Sequence, residues 1–148
     1  MKPIEFVKVG NFCLLNSIND IINRNDIKDV AIEHMQCQSS KSSVGKDVFE
    51  TCYFIGRLTD RILEGMPKTK VVNITPIFRR EEKIGICGTM TANDSMIRKT
   101  LIEMYAKHDF KYGKGNKKNP DWFFGFKADI WQAYAQCYIL KLKLEGKM

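Results

Sequence analysis

The chain has 148 residues, the size of one domain, and 44% of them are hydrophobic, so it can bury a core without disulfides or a structural metal. No apolar run reaches the roughly 18 residues of a membrane-spanning helix, and Met1 to Gly10 lacks a signal-peptide core; a cytoplasmic protein with no membrane partner is expected. Lysine and arginine number 24 against 17 acidic residues, and the net charge of +7 favours an anionic partner, nucleic acid first.

Lys2 to Val9 alternates apolar and polar residues and predicts a strand ended by Gly10-Asn11. Asn11 then caps a helix whose Leu14, Leu15, Ile18, Ile21 and Ile22 fall at helical spacing, closed by Asn25-Asp26. Val30, Ala31 and Ile32 form a short apolar run typical of a buried strand, with Glu33 at its end. Residues 36–46 are a polar loop. A second helix is predicted from Asp47 to Leu63, with Val48, Cys52, Ile55, Thr59 and Ile62 as its stripe and Gly65 and Pro67 as its stop. Lys70 to Ile77 is β-rich, and Ile84 to Cys87 is a short apolar run after the charged stretch Arg79 to Lys83. Asp94 occupies a cap position ahead of Ile97, Leu101 and Met104. Gly113 to Pro120 is a loop. A last helix starts near Lys127 and carries Ile130, Trp131, Tyr134 and Tyr138. Strands alternating with helices predict an α/β domain.

The five cysteines (Cys13, Cys37, Cys52, Cys87, Cys137) are odd in number and form no CxxC pair. They read as small core residues in a reducing compartment, and zinc is unsupported. No GxxxxGK[ST] phosphate loop is present, and no serine or cysteine has a His/Asp set for nucleophilic catalysis.

Three carboxylates carry candidate chemistry. Glu33, after a buried strand and before a Ser-rich loop, has a position typical of catalytic groups in open sheets. It equally marks where a strand leaves the core. Asp129, in the first turn of an apolar helix, is explained by the helix dipole or by a metal-ligand role. Asp94 already has a structural role as a cap.

The segment from Lys107 to Lys127 holds six lysines against Asp109 and Asp121, a local net of +4, over half of the chain's total. Phe110, Tyr112, Trp122, Phe123, Phe124 and Phe126 are interleaved. Lysines track phosphates and aromatic faces stack on unpaired bases. Alternatively the aromatics cover the core and the lysines form a solvated face; both readings hold if the aromatics point inward and the lysines meet DNA.

In order along the chain, Ala31-Ile32-Glu33-His34-Met35-Gln36, Val44-Gly45-Lys46-Asp47-Val48-Phe49-Glu50-Thr51-Cys52, Gly88-Thr89-Met90-Thr91-Ala92-Asn93-Asp94 and Ala128-Asp129-Ile130-Trp131-Gln132-Ala133 resemble the RuvC-type Holliday junction resolvases, especially the phage and prophage branch. The resemblance spans about Val30 to Tyr138, and the VGxxVFETC-like helix is its most specific part. It implies an RNase H-like mixed sheet flanked by helices. It implies a homodimeric endonuclease that cuts branched DNA by in-line attack of water on a phosphodiester, with Mg2+ or Mn2+ as cofactor, in the bacterial host cytoplasm if phage-encoded. By the same likeness, Glu33 and Asp129 are the metal-holding catalytic acids. Lys41, Lys46, Lys114, Lys117 and Lys118 meet the DNA backbone.

Two departures accompany the likeness. Family members with an acidic pair on the last helix space it at i, i+3, whereas Phe126 stands three residues before Asp129. The family also opens with a strand ending in Asp-Pro-Gly or similar, whose Asp is the central metal ligand. Here Met1 to Phe6 resembles the third strand of the 3-2-1-4-5 order, and a first hairpin of roughly 20–30 residues is missing. The strand before Glu33 then becomes a bare apolar edge. The expectation is a mis-set start codon or truncated gene. The alternative to a nuclease is a catalytically impaired remnant that binds branched DNA. A third reading is a protein completed by a partner's strand.

Overall fold

A computed structural model describes residues 2–36 and 45–148 of the chain. Its elements are α1 (Asn11–Arg24), β1 (Asp29–His34), α2 (Lys46–Glu64), β2 (Asn73–Phe78), α3 (Arg79–Cys87), α4 (Asp94–Tyr105) and α5 (Ile130–Leu144). This is an α/β chain, and it divides into two compact units. One is Val9–Arg79; the other joins Arg80–Met148 to the segment ending at Lys8.

The unit Val9–Arg79 is built on helical and strand periodicity. β1 and β2 pair in parallel, from Asp29 opposite Asn73 to His34 opposite Phe78, and α2 makes the connection that parallel strands require. Leu15 and Ile22 of α1, Leu58 and Ile62 of α2, Ile32 of β1 and Val72 before β2 form the core. Each such side chain contributes about 1.5–3 kcal/mol on burial. Polar ties add register: the Asn19 side-chain amide donates to the Arg61 carbonyl at 2.9 Å, and Arg61 Nε donates to the Leu15 carbonyl at 3.1 Å. A Cβ at Gly65 would collide with the Asn19 amide, so glycine there leaves room for the Asn19–Arg61 hydrogen bond between α1 and α2. Asp26, with φ of 47°, turns the chain between α1 and β1 in the left-handed conformation that Asp and Asn tolerate.

The second unit is built on aromatic packing. Phe123 is fully buried, with ring centroids 4.7 Å from Trp131, 5.1 Å from Phe126 and 5.2 Å from Tyr134. Trp122 stacks on Tyr105 at 5.2 Å, and its Nε1–H donates to the Tyr134 hydroxyl at 3.1 Å. Between α3 and α5 lies a buried carboxylate, Glu82, which accepts hydrogen bonds from the side-chain amides of Gln132 and Gln136. A carboxylate buried away from water must be satisfied in this way.

Several predicted elements differ. Lys2 to Val9 is not a strand: Ile4 is 94% exposed, and Phe6 packs edge-on against Phe126 at 4.8 Å. The run Ile84 to Cys87 is the end of helix α3, because Glu82 and Ile86, four residues apart, face the same interior. Gly10 precedes α1, so Asn11 opens the helix instead of capping it. Asn93, not Asp94, caps α4, its side-chain oxygen accepting from the Met96 N–H at 3.0 Å. β2 starts three residues later than predicted, after a turn in which the Lys70 N–H donates to the Pro67 carbonyl. The last helix starts at Ile130, since Ala128 takes a left-handed φ of 43° and breaks the helical run before it. The cysteines are not core residues: Cys13, Cys52 and Cys137 are exposed and Cys87 is half-buried, while Cys37 lies outside the described residues. The α2 stripe runs through Phe54, Ile55, Leu58 and Ile62, leaving Cys52 outside.

Candidate functional site

Glu33 is the fifth of six residues in β1, one place inside the strand end, where its partner in register is Ile77. Strand side chains alternate between faces. Ile32 therefore enters the core and Glu33 points out of it, with its carboxylate exposed. The adjacent His34 is half-buried, its ring 6.0 Å from Phe78.

Asp129 occupies the residue before α5, also exposed, and makes no capping hydrogen bond to that helix. Its carboxylate instead pairs with Lys8 Nζ at 2.6 Å. Phe126 is 1% exposed and part of the aromatic core, which gives the residue three positions before Asp129 a packing role. Asp94 lies exposed in the first turn of α4. Glu33 belongs to the unit Val9–Arg79 and Asp129 to the other. Among the described residues, no group of three or more His, Cys, Asp or Glu side chains is gathered as a metal cluster.

The lysines fall in three places. Lys41 lies outside the described residues. Lys46 is the first residue of α2, paired with Glu50 one turn on at 3.3 Å. Lys114, Lys117 and Lys118 share one irregular loop between α4 and α5, with Lys107 and Lys111 on its leading arm.

That loop is held by three acceptor side chains. Asp121, whose side chain is inaccessible to solvent, accepts from the backbone N–H groups of Lys107, His108, Asp109 and Trp122 at 2.7–3.1 Å. Burial pushes its pKa up, but these donors outweigh burial and hold the carboxyl well below the usual carboxylate range. Asp109 accepts from the N–H groups of Tyr112, Lys114 and Gly115, and those of Gly115 and Tyr112 lead in lowering its pKa. Asn116 accepts from the N–H groups of Lys118 and Asn119. Gly113 and Gly115 have φ of 69° and 63°. A Cβ at Gly113 would meet Phe123 and Ile102, and one at Gly115 would meet the backbone of Asn119 and Asp121. The chain thus turns back on itself, with Gly115 bridging Pro120 in antiparallel fashion.

Asp109, Asn116 and Asp121 are the residues that sequence reasoning missed. Their signal was present: Asn and Asp among glycines and a proline mark side-chain-supported turns. The charge count placed Asp109 and Asp121 as offsets to lysine, whereas they organise the backbone that carries the lysines. No protein-family model matches the chain, and no curated protein matches it.

Proposed function

We propose that the chain is a RuvC-type, RNase H-like domain that engages branched DNA, with metal-dependent hydrolysis of a phosphodiester as its reaction. The observation that carries this reading is the helix–strand–helix–strand order in which β1 and β2 are parallel neighbours and β1 presents an exposed Glu33. It is the arrangement expected of the fourth and fifth strands of the 3-2-1-4-5 order, the former bearing an acid. The basic loop supports an anionic partner, since lysines near phosphates release counterions on binding.

The donor chemistry at the two proposed acids fits magnesium, which takes carboxylate oxygens and keeps several waters. Asp129 already balances a cation, the Lys8 ammonium at 2.6 Å, and its carboxylate is accessible. By the resemblance, Glu33 and Asp129 are each a carboxylate that magnesium could take, and bound magnesium would supply charge stabilisation for the phosphoryl oxygens. The chain's own part is to grip the DNA backbone through Lys114, Lys117 and Lys118 and to present both carboxylates at exposed positions. A homodimer is part of this proposal, because a four-way junction offers two symmetric strands.

The test is nicking of a labelled four-way junction in magnesium, with Glu33→Gln and Asp129→Asn as variants. Each is expected to lower the rate by about a hundredfold or more. Unchanged rates in both variants would remove these residues from the reaction. The Lys8–Asp129 pair favours a second reading, a domain that binds branched DNA without cutting it. Junction binding in EDTA together with absence of products in magnesium selects that reading.

A further inference from the structure

The six aromatic residues of the basic segment divide cleanly. Phe123 and Phe126 are buried, and Trp122 is stacked on Tyr105. Phe110, Tyr112 and Phe124 remain outside, at 67%, 58% and 43% exposure. Large apolar rings left in water beside a cluster of lysines are informative, since lone lysines need only solvent. Lys111 Nζ lies 4.9 Å from the Tyr112 ring centroid, so cation and ring form one unit.

Phe110 and Tyr112 also stand on a fixed backbone. Phe110 directly follows Asp109, whose N–H donates to Asp121 at 2.7 Å, and the Tyr112 N–H donates to Asp109 at 3.0 Å. Lys118 is fixed through Asn116, and Lys114 through Asp109. A loop ordered before binding pays less entropy when a ligand arrives. Rings for bases and ammonium groups for phosphates, carried on one hydrogen-bonded backbone, match the two chemical parts of a single strand. Duplex DNA stacks its bases inside and offers the phosphates but no free base face.

We infer that the loop between α4 and α5 is a preformed platform for unpaired nucleotides, with Phe110 and Tyr112 stacking on bases while Lys111, Lys117 and Lys118 hold the flanking phosphates. This deepens the nucleic-acid part of the proposed function, naming unpaired bases at a branch as what the loop reads, and it does not depend on cleavage.

The experiment measures fluorescence anisotropy in EDTA with a labelled oligothymidylate of about 15 nucleotides and a duplex of equal length. The double variant Phe110→Ala/Tyr112→Ala, both exposed positions, is checked for native circular dichroism. It is expected to weaken single-strand binding by roughly 10–100-fold and to leave duplex binding within about twofold. Lys117→Gln/Lys118→Gln is expected to weaken both and to reduce the salt slope by about 2. A strand carrying 2-aminopurine should show stacking-dependent quenching with the wild-type chain and none with the aromatic variant. Single-strand affinity unchanged in the aromatic variant overturns the platform, as does displacement by polyglutamate as readily as by oligothymidylate. Because the assay contains no metal, loss of nicking with retained single-strand binding defeats the cleavage proposal and leaves this one standing. Nicking without single-strand binding does the reverse.

Discussion

The unit Val9–Arg79 and the loop between α4 and α5 reach order by opposite means. The first buries leucine, isoleucine and valine from two helices and two strands, and polar side chains merely trim the register. The second has little regular structure, and its backbone N–H groups are satisfied one by one by Asp109, Asn116 and Asp121. Apolar cores tolerate exchange of one hydrocarbon for another of similar volume. A loop held by charge-assisted hydrogen bonds does not tolerate loss of its acceptor, because several buried donors are orphaned at once. The difference teaches where this chain is fragile: in the second unit, at the junction of aromatic core and basic loop.

The largest expected effect is at that junction. Phe123 is fully buried among Phe126, Trp131 and Tyr134, and its backbone N–H donates to the Gly113 carbonyl at 2.8 Å. Phe123→Ala is expected to destabilise by about 3–5 kcal/mol in urea unfolding. Ile62→Val, in the core of the other unit, is expected to lose only about 0.5–1.5 kcal/mol. Equal losses would erase the contrast.

Next is Asp121. Asp121→Ala leaves the N–H groups of Lys107, His108, Asp109 and Trp122 without their acceptor and is expected to destabilise by roughly 3 kcal/mol, with loss of oligonucleotide binding. The sign of the pH dependence follows from its lowered pKa. The folded carboxyl holds its charge at pH values where the unfolded chain's, near about 3.9, takes a proton. Its stabilisation is therefore complete above the unfolded value and is lost as pH falls from about 5 toward the depressed folded value. In Asp121→Asn that acid limb should be shallower than in the wild type, measured by urea midpoints at a series of pH values. An identical limb would assign acid sensitivity to other carboxylates.

The same contrast explains which elements the amino-acid pattern announces. α1, β1 and α2 announce themselves because apolar spacing of 3.6 or 2 residues is a direct imprint of burial. Lys2 to Val9 shows the same alternation yet forms no strand. Alternation supplies a face but not a hydrogen-bonding neighbour, and Phe6 finds its partner in the Phe126 ring instead. α3 was obscured because its interior residue at the first turn is Glu82, which reads as surface until Gln132 and Gln136 are seen to donate to it. Glu33 and Asp129 were legible as carboxylates at element ends; that Asp129 pairs with Lys8, more than a hundred residues away in the chain, was not. Lone polar contacts leave no periodic trace.

A smaller effect tests the loop's geometry without touching its acceptors. Gly115 has a φ of 63°, and a Cβ there would press on the Asn119 carbonyl and the Asp121 N–H. Gly115→Ala is expected to cost at least about 1–2 kcal/mol from the left-handed conformation, with the backbone shift it forces adding to that. Single-strand affinity should fall with it, because the backbone that carries Lys114, Lys117 and Lys118 shifts. A stability loss with unchanged affinity would mean that the lysines act as a diffuse charge, and the platform would reduce to electrostatics.

The smallest effect on stability is expected at Lys8, and it is the most informative about chemistry. Its ion pair with Asp129 is short, but both side chains are more than half exposed. Such pairs contribute below about 1 kcal/mol, and added salt screens them. Lys8→Ala should therefore leave the urea midpoint almost unchanged. An ammonium 2.6 Å from the carboxylate nonetheless competes with any other cation for the same oxygen. If Asp129 serves phosphodiester hydrolysis, Lys8→Ala lowers the magnesium concentration needed for half-maximal nicking of a four-way junction, while binding in EDTA weakens only by the loss of one positive charge. If the pair is simply surface structure, the magnesium requirement of the variant equals that of the wild type. A substitution that barely registers in folding thus separates the two readings of Asp129, because folding reports the net worth of an ion pair whereas metal competition reports its occupancy.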